Sequence, residues 1–147
     1  MKIILLLVIL CVCGFLGRQF QKQYQLRTRH YAELLEFCVY CKNQISFLNV
    51  DKKSIFNAFL SKKETLIKNS VLGKKVGYLN CVEIQEIDSF LNAIGNFAVE
   101  GELKNIEYFK ENFSLKHDLC EKEEKTKGVL CFKMGWLLGL LLCIVLF

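Results

Sequence analysis

The chain has 147 residues, 52% of them hydrophobic, and a formal charge of +5. That length holds one domain and not two, and its lysines alternate with glutamates instead of forming a dense basic face interleaved with aromatics, which argues against nucleic acid as a partner. The apolar residues gather at the two ends, a distribution that points to a membrane.

From Ile3 to Leu16 there is no charge, and with Met1, Lys2 and Gly17 the run reaches about 17 residues, the short end of what spans a bilayer. Cys11 to Phe15 offer no small-residue cleavage pattern, and Leu10 stands where a lipoprotein signal needs a small residue. We therefore expect an uncleaved transmembrane helix over 1–17, the alternative being a leader that is removed. Arg18, Lys22, Arg27 and Arg29 follow with no acid before Glu33. This basic flank predicts a cytoplasmic side.

Proline is absent, so helices are not broken from within. Over Gln19–Leu48, Arg27, Tyr31, Leu34, Cys38, Cys41, Ile45 and Leu48 recur at spacings of four and three, one face of a long helix widened by Leu35 and Phe37. Asn49 or Asp51 caps a second helix whose apolar face is Ile55, Phe56, Phe59 and Leu60. A third short helix over Glu64–Leu72 gives way to a loop at Gly73, Lys74, Lys75, Val76 and Gly77. Val82–Phe97, with Ile84, Ile87, Leu91 and Ile94 in helical register and Asn80 as cap, is a fourth helix ending around Gly95–Gly101. The last begins near Glu102, carries Leu103, Ile106, Phe109, Phe113 and Cys120, and leads through Lys122, Lys125 and Lys127 into the apolar stretch 128–147. That stretch is about 20 residues long with Lys133 near its inner edge and Trp136 a turn deeper, a second membrane span. The expected fold class is all-α: a small bundle of about five helices over 18–127, held in the cytoplasm by one transmembrane helix at each end.

Chemistry is sparsely signalled. Cys38 and Cys41, one turn apart, have the spacing of a zinc half-site or a redox pair, but both belong to the apolar stripe, and Cys81 and Cys120 are isolated. Use of Cys38 and Cys41 for metal or redox chemistry is kept as the alternative function; otherwise no metal, cofactor, small-molecule substrate or catalytic residue is expected, and free thiols are. His30 and His117 read as solvated residues near Glu33 and Asp118. Gly73-Lys74-Lys75 lacks the earlier glycine, the following Ser or Thr and the preceding strand of a phosphate loop. The basic helix around Arg27 and Arg29 and the loop lysines Lys74 and Lys75 remain as candidate partner-binding residues.

The N-terminal run with Gly14-Phe15, the basic helix with Arg27 and Leu34, the segment Phe90–Gly95 followed by Glu100 and Lys104, and the C-terminal stretch Lys127–Leu142 together resemble the stage III sporulation protein AB family of endospore-forming Firmicutes. The resemblance implies a bundle similar to the cytoplasmic domains of the type II secretion platform protein (F component), without enzymatic activity. It also implies a place in the channel complex between mother cell and forespore, in the mother-cell membrane around the forespore. The implied partners are sister channel subunits, including the secretion-type ATPase stage III sporulation protein AA.

Overall fold

The structure is a computed structural model and describes residues 2–48, 52–62, 66–68, 76–95 and 98–146. Every regular element among them is helical: α1 (Lys2–Leu48), α2 (Lys52–Lys62), α3 (Cys81–Ala93), α4 (Val99–Glu123), a π turn (Glu124–Gly128) and α5 (Val129–Leu146). The chain is all-α, as its periodicity predicts. Two compact units are formed, one by residues 1–28 with 119–147 and the other by residues 29–118.

In the unit of residues 29–118, the 3–4 stripe of α1 is the buried face. Tyr31, Leu34, Phe37, Cys38 and Cys41 are inaccessible, and Ile55 of α2, Ile87, Phe90, Leu91 and Ile94 of α3, and Ile106 and Phe113 of α4 complete the core. Phe90 is its centre. Its ring meets Phe37 of α1 at 6.1 Å and Phe109 and Phe113 of α4 at 5.1 and 5.3 Å, so one side chain joins three helices through tilted and edge-on contacts.

The turn between α3 and α4 is tighter than the sequence suggests. The sequence predicts a helix over Val82–Phe97 that ends around Gly95–Gly101 and a next one starting near Glu102; α3 stops at Ala93 and α4 starts at Val99. Gly95, at φ 85°, takes the left-handed conformation that ends the helix. Its N–H donates to Oε1 of buried Glu102 at 2.8 Å, which draws the first turn of α4 onto the end of α3. At the other end of α3, Asn80 occupies the expected cap position, and its N–H donates to Oε2 of Glu83 at 2.9 Å. The proposed caps Asn49 and Asp51 and most of the third helix lie outside the described residues.

In the unit of residues 1–28 and 119–147, the start of α1 runs antiparallel to α5. Their contact is made of glycine. A Cβ on Gly135 would lie 2.8 Å from the carbonyl oxygen of Cys13 and 3.0 Å from Cα of Gly17, and one on Gly17 would lie 3.0 Å from the carbonyl oxygen of Cys131. Gly139 faces Leu10 and Cys13, and Gly128 faces Gln21 and Tyr24, so the seam extends over three turns of α5 and its preceding turn. Outside the seam the side chains are apolar and exposed, from Ile4, Leu7, Val8, Val12, Phe15 and Leu16 on α1 to Leu137, Leu138, Leu141, Ile144 and Val145 on α5.

Among the described residues, the helical run Val99–Val145 is the one long and apolar enough to cross a membrane, with mean hydropathy 2.2 over its most apolar stretch and only 11% of that stretch buried. An apolar surface of this extent, turned outward, requires lipid around it. The chain is membrane-associated through its C-terminal helix.

Candidate functional site

Arg27 and Arg29 stand two residues apart on α1, roughly 200° around the helix from one another. They have different partners. Nη1 of Arg27 donates to Oε2 of Glu123 at 2.8 Å, while Oε1 of the same carboxylate accepts from Nζ of Lys127 at 2.6 Å. The Lys127 hydrogen bond, with the charges of Lys127 and Arg27, holds the Glu123 carboxyl below its ordinary range. Arg29 is 61% exposed and reaches Oε1 of Glu33 at 3.3 Å. Glu33 in turn accepts from the Leu66 N–H at 2.6 Å, so Arg29 supports a carboxylate that holds the segment after α2 to α1. Lys74 and Lys75 lie outside the described residues.

Cys38 and Cys41 are fully buried free thiols. Burial pushes Cys38 up to about 12 and raises Cys41 further, with the neighbouring Cys38 and Glu102 adding to the effect at Cys41. Reactive and metal-binding cysteines need the reverse environment, one that favours thiolate. The pair serves the core.

His30 departs from expectation. It reads as a solvated residue in the sequence, yet it is inaccessible, in edge contact with the Tyr78 ring at 5.9 Å and with Nδ1 3.4 Å from the Tyr78 hydroxyl. Burial lowers its pKa to about 4, opposed in part by the charge of Glu83, so His30 is neutral at physiological pH. Burial likewise pushes the Tyr78 hydroxyl up to about 12, with Glu33 contributing. The physical reason was present in the sequence: His30, Leu34, Phe37 and Cys41 alternate at four and three, a second stripe beside the one through Tyr31 and Cys38. His117 is half-buried, its Nδ1 3.7 Å from Asp118.

Together these are ion pairs, a buried imidazole, buried thiols and a glycine seam. Residues 64–147 match the family described as stage III sporulation protein AB. The chain belongs to that family. The match covers α3, α4, the π turn and α5, more than half of the chain; Gly14-Phe15, Arg27 and Leu34, which also carry the resemblance, lie before it. No curated protein and no solved structure matches the chain. Membership in the stage III sporulation protein AB family makes this a stage III sporulation protein and implies a role in a sporulation complex.

Proposed function

We propose that the chain is a platform subunit of a secretion-like channel complex specific to sporulation, anchored by two membrane helices in the mother-cell membrane around the forespore. In this reading residues 1–17 and 128–147 form a transmembrane hairpin, and residues 18–127 lie in the cytoplasm. There they dock the secretion-type ATPase stage III sporulation protein AA and contact other channel subunits. The observation that carries the reading is the glycine seam. Lipid supplies no hydrophobic drive between two apolar helices, so pairs within it associate through close backbone approach, and Gly17 against Gly135 is such an approach. The basic flanks on both sides of the central region support its cytoplasmic location.

Docking is assigned to Arg29, whose side chain remains accessible beyond its Glu33 contact, to Lys74 and Lys75, and to Arg27 at the end of the same basic run. No chemical step is assigned to the subunit. The test is co-purification from sporulating cells of the tagged chain with the ATPase, beside a variant carrying Arg29→Glu, Lys74→Glu and Lys75→Glu. Capture by the parent chain and its loss in the variant are expected. An empty capture with the parent chain present rejects the docking role, and digestion of the central region by protease added outside intact cells rejects the orientation.

A further inference from the structure

Three cations of the unit formed by residues 1–28 and 119–147 are held in ion pairs. Arg27 and Lys127 share Glu123, and Lys125 pairs with Glu121 at 2.6 Å. Among the described residues, no carboxylate forms an ion pair with Arg18 or Lys22. They line instead a groove of about 420 Å³ together with Gln21, Gln25 and Phe132. No carboxylate lines it.

The groove sits at the polar boundary of the seam. Just toward the apolar end, Gly17 meets Cys131, Phe132 and Gly135; just toward the polar end, Gln21 and Tyr24 meet Gly128. Arg18 and Lys22 are four residues apart and Gln21 and Gln25 are four residues apart, so α1 presents two cations and two amides along neighbouring faces over about two turns. Phe132, from the opposite helix, supplies an apolar wall. Two like charges one turn apart repel unless an anion lies between them, and the amide N–H groups can donate to further oxygens of that anion.

We propose that this groove binds the headgroup of an anionic phospholipid, with the phosphodiester between Arg18 and Lys22 and the start of an acyl chain along Phe132. The occupant is a lipid and not a free phosphate because the cationic wall and the apolar wall meet at the depth where headgroup and chain join, and because basic pockets between membrane helices on the cytoplasmic side match anionic headgroups. This inference rests on the hairpin part of the proposed function and not on the ATPase docking.

The test is native mass spectrometry of the full chain released from detergent micelles, with dioleoyl phosphatidylglycerol or dioleoyl phosphatidylcholine added separately. One retained phosphatidylglycerol is expected, preferred over phosphatidylcholine by about thirtyfold, the effect of two basic residues at an anionic headgroup. The pair Arg18→Gln and Lys22→Gln should reduce that preference to about twofold or less, while Lys125→Gln with Lys127→Gln, an equal change in net charge, should keep it. Equal loss in both double variants, equal retention of the two lipids by the parent chain, or displacement of the lipid by added glycerol phosphate each overturns the proposal. The same spectra give the intact mass, so a chain lacking its N-terminal run, which refutes the hairpin, is distinguished from an intact chain with no lipid preference.

Discussion

The two units of the molecule hold their helices together by opposite means. Around Phe90, large rings from three helices interlock and every apolar atom withdrawn from water contributes; along Gly17 and Gly135 the side chains are absent and the backbones themselves touch. In the proposed hairpin, the difference follows from the solvent each unit faces. In water the largest buried side chain is the most valuable, whereas in lipid the smallest is, because only it permits close approach.

That contrast is open to attack at single residues. The largest effect is expected at the ring cluster: Phe90→Ala should lower the stability of the bundle by about 3–5 kcal/mol in denaturant titrations followed by circular dichroism, because the cavity lies where three helices meet. Acid acts on the same unit through His30. Its folded pKa, about 4, lies below the value of about 6.5 in the unfolded chain, so the neutral imidazole contributes stability fully above about pH 6.5 and loses it as pH falls toward 4. The loss amounts to up to about 3 kcal/mol. His30→Gln should flatten that part of the profile, and a profile of unchanged slope would show that other groups control it. Gly135→Leu should act on the glycine seam alone, weakening helix pairing by about 1–3 kcal/mol in SDS titrations while the thermal transition of the bundle stays in place. A shift of both transitions together would mean that the units are not held independently.

Much of the bundle was legible in the sequence because water imposes periodicity. Tyr31, Leu34, Cys38 and Cys41 declare their face by spacing, and Ile87, Leu91 and Ile94 do the same for α3. What escaped was polar and buried. By residue type His30 reads as solvated, although its register with Leu34 and Phe37 places it inside, and nothing in the sequence marks Glu102 as the partner of Gly95. Positions of helix ends depend on such single hydrogen bonds, which no periodic pattern reports. In the apolar C-terminal stretch, apolar content identified the element but not its partner; the four-residue spacing of Gly135 and Gly139 carried that information. For the candidate site, charge located the basic residues, but only geometry showed that Arg27 pairs with Glu123 and Arg29 with Glu33 while Arg18 and Lys22 line a groove.

The π turn before α5 has a consequence for how this stretch of chain tolerates changes in length. Val129 N–H reaches back five residues to the Glu124 carbonyl, and Glu123 and Gly128, also five apart, both face α1, the first at Arg27 and the second at Gln21 and Tyr24. In an unbroken α-helix five residues advance the direction by about 500°, leaving the two faces about 140° out of phase, whereas four residues bring them nearly into line. The turn thus holds one surplus residue. Deleting Thr126 should convert it to ordinary helix with little change in the SDS titration, while inserting an alanine there should separate Arg27 from Glu123 or Gly135 from Gly17; equal damage from both would refute the phase argument. A helix with a residue to spare can be shortened at that point but not lengthened.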